Sequence, residues 1–168
     1  MKVETYVTKD WEESEAGLLL AENDDWILVK HIPADYVIDG YRLYKKKFVE
    51  NRERTETEKQ IERVLKLKGV DAAMPEGFEF SDTVGLLKWV EGKYGLFEFQ
   101  DDDESELFYG TLQNVENGSF CINMLTAKGE EDPTFDFEFE IDKIRILEFE
   151  TDYHLSIKLL WDDNQKMN

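Results

Sequence analysis

Gly17-Leu18-Leu19-Leu20-Ala21-Glu22-Asn23-Asp24-Asp25-Trp26-Ile27-Leu28 returns, altered, as Gly110-Thr111-Leu112-Gln113-Asn114-Val115-Glu116-Asn117-Gly118-Ser119-Phe120-Cys121-Ile122. Each copy reads Gly-x-Leu, turns at Glu-Asn, and then sets an aromatic residue, Trp26 or Phe120, before a β-favouring one. Asn, Asp and Gly tolerate the left-handed and Asx-turn geometries, so each copy predicts a β-hairpin. A hairpin used twice predicts a repeated β unit.

Working outward from the first copy, residues 5–9 read as a short strand and 11–15 as an acidic loop. Strands follow at 16–21 and 26–32. The second is apolar on both faces, which predicts a central position. Pro33 breaks the pattern and Asp39-Gly40 signals a turn. Tyr41, Leu43 and Phe48 continue a strand that carries Arg42, Lys45, Lys46 and Lys47. Thr57, with Gln60 three residues on, reads as a capping box. Ile61, Val64 and Leu65 then fall at helical spacing, and Lys68-Gly69 ends that helix.

Residues 71–77 read as a linker. Ser81 is the expected cap of a second helix with Val84, Leu86, Leu87 and Val90 on its apolar stripe and Gly92 as its stop. From Tyr94 onward strands are expected at 95–100, 107–114, 119–127, 134–141, 144–150 and 153–160, with an acidic turn at 101–106 and a frayed tail from 162. In 134–141, Phe135, Phe137, Phe139 and Ile141 alternate with Asp136, Glu138 and Glu140, the pattern of a half-buried strand.

The run Phe108-Tyr109-Gly110-Thr111-Leu112, then Glu116, Phe120-Cys121-Ile122 and Ile141-Asp142-Lys143-Ile144-Arg145, resembles the Sm-like (SH3-like) small β-barrels. The short helix before Gly95 resembles the one that opens an Sm domain. The first half resembles the pattern less completely, with 5–9 against 95–99, Gly17 against Gly110, Trp26 against Phe120, and Val49 rather than Ile38 against Ile141. The resemblance implies a mainly β fold of two tandem small antiparallel barrels. Residues 1–70 would form an imperfect first barrel with a short helix, 71–93 a linker with a helix at 80–91, and 94–168 the second barrel.

It also implies RNA binding in rings, and here the sequence departs from the family. The base-holding Asn expected after the acidic loop residue is replaced by Phe120, and Glu116 stands where Asp is usual. Arg145 is followed by Ile146 rather than Gly. The barrel-forming positions carry over and the RNA site does not.

Asp and Glu number 39 against 20 Lys and Arg, a net charge of -19. That charge opposes attraction to nucleic acid or to an anionic membrane and suits a basic protein partner. The cations concentrate: residues 31–68 hold ten basic against seven acidic side chains. An island of Arg42, Lys45, Lys46, Lys47, Arg52 and Arg54 could pair with the chain's own acidic face, or with that face on another copy in a homo-oligomer. Lys45, Lys46 and Lys47 interleave with Tyr41, Tyr44 and Phe48 as in single-strand binders, although a solvated strand end is the simpler reading. The loop carrying Asp35, Tyr36 and Asp39 beside Pro33, Gly40 and Tyr41 is the first place to look for a site.

No assembled catalytic set, cofactor motif or metal set is legible. Cys121, the sole cysteine, permits no intrachain disulfide and reads as a small apolar residue. His31 and His154 have no adjacent His or Cys. The run from Asp101 lacks the Gly and Glu of a calcium loop, since Glu106 and Leu112 occupy those positions. Neither phosphate-binding glycine pattern occurs, nor does G-x-S-x-G. Asp136, Glu138 and Glu140 mark the solvent side of their strand more simply than an acid/base pair. The N-terminus has no signal-peptide apolar region and no run approaches membrane-spanning length. The expectation is a non-enzymatic, acidic interaction or regulatory module in a bacterial cytoplasm, with a diverged Sm-like RNA binder as the alternative and an enzyme third.

Overall fold

The apolar run Trp26–Ile32 is a strand with hydrogen-bonded neighbours on both sides, as its two buried faces require. In the computed structural model, which describes all of residues 1–168, it lies in the first of two units, Met1–Glu79 and Phe80–Asn168. The first unit contains β1 (Val3–Thr8), β2 (Glu15–Glu22), β3 (Trp26–Ile32), β4 (Tyr41–Lys45), β5 (Val49–Glu53) and α1 (Glu56–Leu67). Its strands pair antiparallel in the order β5-β1-β2-β3-β4, and a 3-10 turn at Lys46–Phe48 joins β4 to β5.

The second unit opens with α2 (Thr83–Tyr94). There follow β6 (Phe97–Gln100), β7 (Phe108–Glu116), β8 (Ser119–Leu125), β9 (Phe139–Glu140), β10 (Ile146–Phe149) and α3 (Asp152–Lys166). Its order is β10-β6-β7-β8-β9, again antiparallel, with a 3-10 turn at Ile141–Lys143 between β9 and β10. The chain is mainly β, and within each unit the last two strands do not pair, so neither sheet closes into a barrel.

The pairing registers of the two units correspond around two glycines. Gly17 faces Glu4 and His31, and Gly110 faces Phe97 and Met124. Two residues beyond each glycine the ladder slips, between Leu19 and Ala21 in one unit and between Leu112 and Asn114 in the other. Both glycines are needed because the next strand comes too close for a Cβ. At Gly17 a Cβ would lie 2.6 Å from Val29 Cγ2, and at Gly110 it would lie 2.3 Å from the Asn123 carbonyl oxygen. The helices dock alike. Ile61 and Leu65 of α1 pack on Val3, Leu18 and Ile32. Ile157 and Trp161 of α3 pack on Leu96, Tyr109 and Leu125. Carried through the register, Val3 matches Leu96 and Ile32 matches Leu125.

The register also moves two expected equivalences. Ile27, not Trp26, occupies the place of Phe120, because Ile27 pairs with Glu22 where Phe120 pairs with Val115. A one-residue slip exchanges the faces of a strand, so the correction matters. The 3-10 turns then align Lys46, not Val49, with Ile141.

Several local expectations change. The cap of α1 is Thr55 with Glu58, two residues before the expected Thr57, and the cap of α2 is Asp82 rather than Ser81. Helix α2 runs through Gly92 and stops at Gly95, whose φ of 88° is the left-handed geometry glycine supplies. Residues 153–160 are helical, not a strand. Thr151 accepts the His154 N–H at 3.0 Å and starts α3, which continues to Lys166 through much of the expected frayed tail. Of residues 134–141 only Phe139 and Glu140 pair with a neighbour. The rest is held by rings: Phe139 packs on Phe99, Phe108, Phe120, Phe135 and Phe137 at centroid distances of 4.8–6.0 Å.

Candidate functional site

The basic island of the first unit is turned onto its own carboxylates. Arg42 is buried with Leu43 and Tyr44 in the middle of β4, with Nη1 2.7 Å from Glu15 Oε2; His31 Nε2 meets the same oxygen, while His31 Nδ1 is buried with no hydrogen-bond partner. Burial alone would raise the Glu15 pKa, but His31 and Arg42 outweigh it and hold the carboxyl below its ordinary range. Arg52 on β5 donates from Nε and Nη2 to Glu4 at 2.9 and 2.7 Å, and from Nη1 and Nη2 to Glu22 at 3.1 and 2.8 Å. Lys46 joins Glu22 at 2.7 Å and Arg54 joins Glu62 at 2.9 Å. The hydrogen bonds from Arg52 and Lys46 lower the Glu22 pKa to about 2. Lys45 lies over the Trp26 ring and exposed Lys47 over Phe48, at 5.6 and 5.0 Å.

The loop between β3 and β4 is fastened from both ends. The Asp39 N–H donates to the His31 carbonyl at 2.8 Å. Tyr36 accepts Gln60 Nε2 at its hydroxyl, 2.7 Å, and Lys68 Nζ at its carbonyl, 3.1 Å. Asp35 is exposed at φ 47°, and half-buried Tyr41 pairs with Lys30 in the ladder.

The second unit hides a carboxyl pair that the sequence reading missed. Glu98 and Glu148 face each other across β6 and β10, and both are buried. Tyr109 donates to Glu98 Oε1 at 3.1 Å and Thr151 Oγ1 donates to Oε2 at 3.2 Å. Burial, and then the neighbouring Glu148 with which it hydrogen-bonds, push the Glu98 pKa well above the carboxylate range. Both carboxyls are closed off from solvent, Glu98 at 2% and Glu148 at 5% exposure. The available signal was a Glu flanked by apolar residues in each strand, Phe97-Glu98-Phe99 and Leu147-Glu148-Phe149. His154 is fixed as a neutral ring: Nε2 donates to the Leu96 carbonyl at 2.9 Å and Nδ1 accepts the Glu150 N–H at 3.1 Å. Burial lowers its pKa.

What the second unit exposes is acid and aromatic surface. It holds 21 acidic and 7 basic side chains, against 18 and 13 in the first. Asp136 and Glu138 are exposed, and between them Phe137 is 54% exposed. Where β7 begins and β8 ends, a recess of about 380 Å³ opens between Leu107, Tyr109, Met124, Leu125, Ala127 and Tyr153. Half-buried Cys121 lies outside it, on β8. No cluster of three or more His, Cys, Asp or Glu side chains has the geometry to hold a metal ion, and no helix is long and apolar enough to cross a membrane. No family model, no curated protein and no solved structure matches the chain.

Proposed function

We propose that this chain is a non-enzymatic protein-interaction module, built from two diverged Sm/SH3-like β units, whose second unit presents its acidic face to a basic protein partner. The barrel relationship is supported by the shared strand order, the equivalent glycines and slips, and the 3-10 turn before each last strand. The observation that carries the functional reading is the asymmetry of charge. In the first unit Arg42, Lys46, Arg52 and Arg54 are engaged by Glu15, Glu22, Glu4 and Glu62. In the second unit acids outnumber bases three to one, and the segment bearing Asp136, Phe137 and Glu138 is exposed. A field of one sign with aromatic side chains set in it attracts basic partners and repels nucleic acid.

The test is a pair of anisotropy titrations on the full chain, one with a labelled oligolysine peptide and one with a labelled single-stranded RNA. The peptide is expected to bind, to weaken steeply with salt, and to weaken further when Asp136, Glu138 and Glu140 become Asn or Gln. RNA binding that disappears when Lys45, Lys46 and Lys47 become Glu would instead establish the diverged Sm-like RNA binder.

A further inference from the structure

The recess of the second unit joins an apolar wall to an acidic rim. Its wall is apolar, and two of its largest side chains are exposed, Leu107 at 40% and Tyr153 at 50%. Its rim is acidic. Exposed Glu106 precedes Leu107 and exposed Asp152 precedes Tyr153. Exposed Glu130 and Glu131 are tied to the same place, through the Thr126 N–H to the Glu130 carbonyl at 2.8 Å and a backbone bridge between Leu125 and Glu131. Lys128, in the turn between them, is the single opposing charge along 124–132. Along α3 the apolar surface continues to Leu160, 44% exposed, which is seated against Gly129.

We propose that this recess seats one large apolar side chain of a basic peptide segment, with flanking Lys or Arg side chains meeting Glu106, Glu130, Glu131 and Asp152. The inference rests on the proposed acidic interaction role and gives it an address and a partner chemistry. An apolar anchor in a pocket with charges at its rim is the usual division of labour in recognition: the anchor supplies affinity, the rim supplies steering and register. A volume of about 380 Å³ is at the small end of ligand-binding pockets and suits a single Trp, Phe or Leu side chain rather than a cofactor. The alternative occupant, a second copy of this chain, would bring another net charge of -19 against the same acidic rim.

The experiment uses the full chain and two fluorescein-labelled peptides, Lys-Lys-Trp-Leu-Lys-Lys and Lys-Lys-Ala-Ala-Lys-Lys, at about 150 mM salt, where distant charges are screened. The first peptide is expected to bind at least about tenfold more tightly than the second. Leu107→Lys and Tyr153→Lys, both at exposed positions, are expected to remove that preference while circular dichroism shows the fold retained. Leu67→Lys, which adds the same charge at a residue 79% exposed in the first unit, is expected to leave it unchanged. Equal binding of the two peptides, or equal loss from Leu67→Lys and Tyr153→Lys, overturns the recess and leaves the acidic role standing. Failure of the unaltered chain to bind either peptide overturns both. A dimer in sedimentation that Tyr153→Lys dissociates places a second copy in the recess and also overturns the proposal.

Discussion

Glu58 in the first unit and His154 in the second occupy the same place, the third residue of the helix that follows the last strand, each behind a capping Thr. The chemistry around them is reversed. In the first unit the acid is on the helix: Glu58 accepts Thr5 Oγ1 from β1 at 2.7 Å and the Thr55 backbone N–H at 2.6 Å. In the second the acid is on the strand: Glu98, at the register position of Thr5, accepts Thr151 Oγ1 from the cap. One corner thus solves the same problem twice, a helix start pinned to the first strand by a Thr–Glu hydrogen bond. The exchange has a consequence. Thr5 faces exposed Glu53, whereas Glu98 faces buried Glu148, so the second unit pays in electrostatics for what the first obtains with a hydroxyl. Two units of the same strand order keep the same packing, here Val3 with Ile61 and Leu96 with Ile157, around different polar contacts.

The comparison breaks most visibly at the paired glycines. At Gly110 an added methyl meets backbone that cannot turn aside, and at Gly17 it meets the Val29 side chain. Gly110→Ala is expected to destabilise by about 3 kcal/mol or more and Gly17→Ala by about 1–2 kcal/mol, read by urea denaturation of the full chain with hydrogen exchange assigning the loss to a unit. Equal losses would mean that the Val29 side chain is as unyielding as the Asn123 backbone.

Next in size is pH. Glu98 keeps its proton when folded and releases it when unfolded once the pH exceeds about 4.5, its ordinary value. The folded state binds more protons, so the second unit loses stability as pH rises from 4.5 toward the raised folded pKa. Glu98→Gln, which keeps one acceptor oxygen and replaces the other with an amide donor that a hydroxyl of Tyr109 or Thr151 can accept, is expected to flatten that slope and to stabilise the unit by about 1–3 kcal/mol at pH 8. Glu58 has the opposite sign. Burial opposes its ionisation, but hydrogen bonds from Thr55 and Thr5 win and lower its pKa to about 2. Its contribution is complete above pH 4.5 and disappears as the pH falls toward 2. Glu58→Gln should remove that acid-side loss. Two thermal-unfolding series across pH 2–9 decide the matter, and parallel slopes in both units would sink the exchanged-corner reading.

Smaller again are the caps. Thr55→Ala and Thr151→Ala each remove a helix-start acceptor, at about 1 kcal/mol. Each also takes a hydroxyl donor from a buried glutamate, Thr55 from Glu58 at 2.6 Å and Thr151 from Glu98 at 3.2 Å, so the two losses should be of similar size. The smallest effect is expected from Lys47→Ala, an exposed side chain, at no more than about 0.5 kcal/mol.

Much of this fold was readable where local pattern and long-range partners agree. Trp26–Ile32 is apolar on both faces and is a central strand; Gly17 and Gly110 mark equivalent positions; Gly69, in the left-handed region, follows the first helix. The misreadings fall where the pattern permits two answers. Tyr153, Leu155, Ile157 and Leu159 alternate like a strand, yet Ile157 with Trp161 also fits a helix, and the Thr151 cap with Asp152 behind it decides. Comparison with Thr55-Glu56 in the first copy would have exposed that cap. Residues 134–138 alternate as a strand should, but no neighbour pairs with them, and pairing is a tertiary property that alternation cannot reveal. The site was less legible than the fold. The basic island stands out in sequence because its charges are consecutive, whereas the glutamates that engage it are scattered from Glu4 to Glu62. The recess draws its walls from β7, β8 and α3, and an expected strand at 153–160 left no reason to look there.

The proposed division between a first unit whose cations are engaged within it and a second unit that meets the partner is tested most directly by nuclear magnetic resonance. The isotope-labelled full chain is titrated with the Lys-Lys-Trp-Leu-Lys-Lys peptide, and amide shifts are followed in both units. The predicted result is saturable movement concentrated in 101–109, 124–138 and 152–160, with 41–54 unmoved. Movement concentrated in 41–54, with the second unit still, would contradict it.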